Sequence, residues 1–150
     1  MYLIENYKDN FRFNRQYEEI SKFLQIAADT GYNEHFHWGR FDWGMAHSYL
    51  DVEMLSRNAL FRKENGELVG AAMYDTSFDD RWYILHSISD ENLLRQMMEY
   101  VIRTDTHTAT IKANLSDTML CELLENAGFE NQYSQSVLEI NLSHNLSFQL

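Results

Sequence analysis

At 150 residues, with 45% apolar and 14% aromatic side chains, the chain is long enough to bury a core and too hydrophobic to stay disordered. Twelve basic against 23 acidic residues leave a formal charge of −11, which argues against a nucleic-acid or anionic-membrane surface. Cys121 is the single cysteine, excluding an internal disulfide framework, and no apolar run approaches the ~18 residues of a membrane span.

The N-terminus carries acids early and lacks the apolar stretch of a signal peptide, so the expectation is one cytoplasmic domain. In residues 1–7, Tyr2, Ile4 and Asn6 alternate with Leu3, Glu5 and Tyr7, which predicts a first strand. Asn14 is placed to cap a helix with Tyr17, Ile20, Leu24 and Ala27 on one face, ending near Gly31. Residues 34–51, EHFHWGRFDWGMAHSYLD, put Trp38, Phe41, Met45 and Tyr49 on one helical face and Trp43, Ala46 and Leu50 on another. A helix apolar on two sides is either deeply buried or lines a cleft.

A short helical link over 52–57 leads into a hairpin. Its strands start with Ala59 to Phe61 and continue through Leu68 to Tyr74, with Asn65-Gly66 supplying a tight turn. The second of these strands is apolar on both faces, which predicts a central position. A third strand over 82–85 precedes a helix capped by Ser89, whose stripe is Leu93, Leu94, Met97, Met98, Val101 and Ile102. A strand over 109–113 and a helix capped by Ser116 follow, with Leu120, Leu123, Leu124 and Ala127 inward and Gly128-Phe129 closing it. Residues 133–142 read as a further strand, and Leu146, Phe148 and Leu150 alternate once more.

This order predicts an α/β (α+β) fold. The hairpin GELVGAAMY (66–74), the strand YILHS (83–87) and the segment IKANLSDTMLCELLENAGF (111–129) resemble the GNAT superfamily of acyl-CoA-dependent N-acyltransferases. The resemblance covers essentially the whole chain. It implies a mixed, mostly antiparallel sheet of six to seven strands, helices on both faces, and a splayed parallel pair formed by 82–87 and 109–113. It implies acetyl-CoA in that splay, with the pantetheine arm on Leu85, His86 and Ser87, and the pyrophosphate on the helix N-terminus at Ser89. Strand N–H groups there would hold an oxyanion. Trp38, Arg40, His47 and Tyr74 would face a small-molecule or peptide amine, and His86 is the candidate general base.

Two features depart from the family pattern. The family's Arg/Gln-x-x-Gly-x-Gly/Ala phosphate loop is replaced by Ser87-Ile88-Ser89-Asp90-Glu91-Asn92, without a glycine or a base. Asp90 and Glu91 suit a helix N-terminus but repel phosphate. The tyrosine that many members carry four residues before the closing glycine, as acid toward the thiolate, is Leu124 here. The expectation is therefore a GNAT-like domain degenerate in its own cofactor site, binding acetyl-CoA weakly and weak or inactive as an isolated enzyme. The alternative is a non-catalytic binding or structural module that retains the fold. Residues 143–150 are read as a linker or edge strand, with a second GNAT domain or a homodimer as the expected partner.

Of the remaining candidates, His35, His37 and His47 lack a fourth well-spaced ligand, so no metal is expected. Trp43 is assigned to the core, while Trp38 and Arg40 divide between core and cleft. Cys121 has no basic neighbour to activate it. Asn114 and Asp117 are assigned to a turn and a helix start.

Overall fold

A computed structural model describes residues 1–8, 12–75, 81–105 and 108–132. The chain forms β1 (Leu3–Asn6), α1 (Arg15–Ala27), α2 (Trp38–Ala46), β2 (Ala59–Arg62), β3 (Leu68–Asp75), β4 (Arg81–His86), α3 (Glu91–Thr104), β5 (Ile111–Lys112) and α4 (Thr118–Asn126). Short 3-10 turns occupy Ala28–Thr30 and Val52–Arg57. The strands make one mixed sheet in the order β1-β2-β3-β4-β5. Every neighbouring pair is antiparallel except β4 and β5, which are parallel. The chain is thus a mixed α+β protein.

Alternation along the strands, shifted at Val69 by a bulge opposite Phe61 and Arg62, divides the core in two. On one face Leu60, Ala71, Met73, Tyr83 and Leu85 pack against α1 and α2, through Ile20, Phe23, Leu24, Phe41 and Met45. On the other, Phe61, Val69, Ala72, Trp82 and Ile84 meet α3 and α4, through Leu93, Leu94, Met97, Val101 and Leu120. Burying each of these large side chains contributes about 1.5–3 kcal/mol. Helix α3 comes so close to β3 that a Cβ on Gly70 would lie 2.9 Å from the Met97 sulfur. A larger residue there would have to push the Met97 or Leu93 side chain aside.

The predicted elements recur with shifted ends. Both expected serine caps are displaced by one residue: Asp90 caps α3 and Asp117 caps α4. In each Ser-Asp pair the full charge of the aspartate suits the positive helix end better than a neutral hydroxyl. Helix α4 closes as expected. Gly128 has φ +94°, its N–H bonds Glu125 C=O at 3.0 Å, and Phe129 N–H bonds Leu124 C=O at 3.0 Å.

The hairpin turn is longer than the tight Asn-Gly turn expected. Lys63 N–H bonds Glu67 C=O, Gly66 N–H returns to Lys63 C=O, and Gly66 takes φ +89°. The strand expected over 109–113 shrinks to Ile111–Lys112. Five strands are present among the described residues, against the six to seven expected. The expected strands over 133–142 and 146–150 lie outside the described residues.

Helix α2 is buried on one face rather than two. It stops at Ala46, so Tyr49 and Leu50 leave the helical spacing. Phe41 and Met45 point inward, whereas Trp43, assigned to the core from sequence, is 52% exposed and Trp38 is 49% exposed.

Candidate functional site

Strand β4 pairs with β5 only at Trp82↔Ile111 and Tyr83↔Lys112. Beyond Tyr83 the two strands no longer pair among the described residues, a break in the sheet at the C-terminal end of β4, here called the opening. Ser87 N–H bonds Val69 C=O of β3 at 3.0 Å. In an antiparallel pair the bonding residues alternate, so Leu85 also addresses β3 and His86 turns its backbone the other way. Of the three expected backbone positions, only His86 faces the opening.

Both of those His86 groups are already bonded. Asn33 Oδ1 accepts from His86 N–H at 3.0 Å, and Asn33 Nδ2 donates to His86 C=O at 2.8 Å. Asn33 is 2% exposed, and its Nδ2 also lies 2.9 Å from Thr30 Oγ1 and 3.1 Å from Ala27 C=O. The carboxamide thus does what a neighbouring strand or an amide-bearing ligand would do.

The residues around Asn33 close the same opening. Tyr32 stacks on the His86 ring at 5.6 Å and His35 on Tyr83 at 5.6 Å, while Phe36 meets Tyr83 in a tilted contact at 4.6 Å. Gly31 C=O accepts from Asn114 Nδ2 at 3.3 Å. Asn114 is in a turn, as expected, and that turn helps hold the segment down.

The side chain of His86 is buried and engaged at both nitrogens. Nδ1 lies 2.8 Å from Ile88 C=O, and because a carbonyl only accepts, Nδ1 carries the hydrogen. Nε2 meets the carboxylate of Asp117 in a short bond that needs a second proton, carried by the ring or by the acid. Asp117 in turn accepts from Leu120 N–H at the start of α4. The candidate base is thereby tied into a buried link between β4 and α4.

At the start of α3, Asp90 accepts from Asn92 N–H at 2.8 Å, from Leu93 N–H at 3.4 Å and from Tyr2 O–H at 2.6 Å. The bond to Tyr2 holds the Asp90 carboxyl below the ordinary carboxylate range and pushes the Tyr2 phenol up to about 12. Ser89, expected to offer this helix end to a phosphate, is exposed and lies outside the cap. As arranged, the His86 backbone is bonded by Asn33 and the N–H groups at the α3 terminus by Asp90.

Of the four residues expected to face an acceptor, Arg40 and Tyr74 border one cavity, while Trp38 and His47 do not line it. Arg40 pairs with Asp75, lies 3.1 Å from Tyr83 O–H, and sits over the Phe36 and Tyr83 rings. Tyr74 packs its ring against Trp82 at 5.1 Å and under Arg57 at 4.2 Å, toward the α3 side. Trp38 begins α2, and His47 follows its last turn with Nδ1 accepting from Tyr49 N–H at 3.1 Å. That cavity, about 40 Å³ under α2, is bordered by Arg40 and Tyr74 together with Phe36, Phe41, Met73 and Asp75. That is well short of the roughly 150 Å³ that accepts a benzene.

The other singled-out residues have local roles. His37 caps α2, its Nδ1 accepting from Gly39 and Arg40 N–H. Burial, followed by Asp117 and Glu125, pushes the Cys121 thiol up, away from nucleophilic use. Among the described residues no group of three or more His, Cys, Asp or Glu is placed to hold a metal ion, and no helix is long and apolar enough to cross a membrane.

Comparison of the chain with protein-family models, curated proteins and solved structures gives no match. Asn33, which holds both backbone groups of His86, carries no periodic or motif signal. A polar Gly-Tyr-Asn-Glu-His run between two helices reads as an ordinary loop.

Proposed function

We propose that this chain is a GNAT-like domain whose own cofactor opening is filled by its own side chains, and that it serves as a non-catalytic binding or structural module. The carrying observation is the Asn33 carboxamide on both backbone groups of His86. The Asp90 cap supports it, because it satisfies the N–H groups a diphosphate would need. The proposed setting is the cytoplasm, and the proposed partner is a second GNAT domain that carries the catalysis, or a second copy of this chain.

Titration calorimetry with acetyl-CoA on the 150 residues tests this. The expected dissociation constant is weaker than about 100 μM, less than roughly 5.5 kcal/mol of binding free energy. Micromolar binding would overturn the proposal.

A second reading, acetyl-CoA-dependent transfer to a small-molecule or peptide amine, is favoured by one observation. Among the described residues the parallel β4–β5 pairing ends after Tyr83, where that chemistry would need room. Release of free thiol from acetyl-CoA in the presence of amines, absent without them, would support it.

A further inference from the structure

The segment that closes the β4–β5 opening contains one misfit. Among the described residues neither ring nitrogen of His35 has a hydrogen-bond partner, although both are shielded from water. The Lys112 backbone comes near the ring and favours its charged form, yet no bond of acceptable geometry is made. A buried polar group left unbonded works against the state that buries it. Released into water, the ring would bond on both sides. The Asn33 clasp and the stacking on Tyr83 and His86 therefore hold the segment docked against a standing cost.

We infer that residues 31–36 form a pH-sensitive latch on the β4–β5 opening, docked at neutral pH and released when His35 gains a proton. The inference concerns how the opening is closed, and it stands whether or not a cofactor ever enters.

The groups around His35 set the direction. Arg40 from α2 and Lys112 from β5 oppose a proton on the ring, and Asp117 at the start of α4 favours one. From β4, Tyr83 presents its ring face and His86 lies behind Asn33, already committed to Asp117. Arg40 is itself paired with Asp75. Burial outweighs all of these and pushes the docked His35 down to about 4, whereas an undocked ring titrates near its ordinary value of about 6.5. Between those values the undocked form binds more protons, so falling pH favours release. Above about 6.5 the docked form is fully favoured.

Amide hydrogen exchange by NMR on the full chain, corrected for the intrinsic pH dependence, tests the latch at pH 7.5 and 5.0. The reporter is His86 N–H, bonded to Asn33. Its protection is expected to fall by up to about 30-fold at pH 5.0, the ratio that linkage allows for values of about 4 and 6.5. The Met97 and Met98 amides in α3 should keep theirs. His35→Phe, which retains the contact with Tyr83 but cannot titrate, should protect His86 equally at both pH values. Unchanged protection of His86 in the native chain would overturn the inference. So would its loss together with the α3 amides, or the same loss in His35→Phe. If His35→Phe does not fold, the comparison within the native chain decides.

Discussion

On one face of the sheet, α3 lays Leu93, Leu94, Met97 and Val101 against Val69, Trp82 and Ile84. On the other, at the C-terminal end of β4, closure depends on Asn33 bonded to a backbone, His86 bonded to Asp117, and His35 bonded to nothing among the described residues. The first contact is non-directional and tolerates small shifts. The second is directional, and removing one partner strands another in a dry interior. The same protein is therefore robust at its centre and conditional at the opening.

Asp117→Ala should break the comparison most severely. It removes the carboxylate from a buried pair and the cap from α4, and is expected to cost about 3–5 kcal/mol in denaturant unfolding. A loss under 1 kcal/mol would mean that His86 is satisfied without it. Leu94→Ala, fully buried under the sheet, should cost about 2–5 kcal/mol, with little dependence on pH between 5 and 8.

Asn33→Ala should cost about 1–3 kcal/mol by leaving His86 N–H and C=O without their partner. It should also raise exchange at His86 even at pH 7.5. If acetyl-CoA binding strengthens in this variant, Asn33 is what excludes it.

The pH dependence separates the two faces further. His35 is held down in the folded state, so its titration leaves stability unchanged above about 6.5 and lowers it as pH falls toward about 4. The slope is at most about 1.4 kcal/mol per pH unit, for one proton. His35→Phe should flatten that stretch of a stability–pH curve.

The smallest effect belongs to Tyr2→Phe. It removes one bond to Asp90 and should cost about 0.5–1.5 kcal/mol near neutral pH. Asp90 is depressed in the folded state, so its contribution is present above the ordinary carboxylate range and is lost as pH falls below it. The variant should therefore alter the acid limb below the region governed by His35.

The sequence by itself determined where the apolar faces lie. Periods of two and 3.6 place Leu93, Leu94, Met97, Val69 and Ile84 in the core, because a strand or helix must bury whichever side is apolar. Asn14, Gly128 and Phe129 mark helix ends through bonds that span only a few residues, so local order is enough to read them. The two misplaced caps show the limit of that locality, since Ser and Asp both cap and only the charge decides between neighbours. The fate of α2 was already tertiary, because whether Trp43 is covered depends on what packs over it.

The opening was decided by tertiary structure alone. Asn33 and His86 are 53 residues apart, and His86 and Asp117 are 31 apart. No spacing rule relates such positions, because their meeting is set by the way three elements cross at the end of β4. A hydrogen bond has no period, and the polar residues that close this opening resemble, in sequence, the polar residues of any loop.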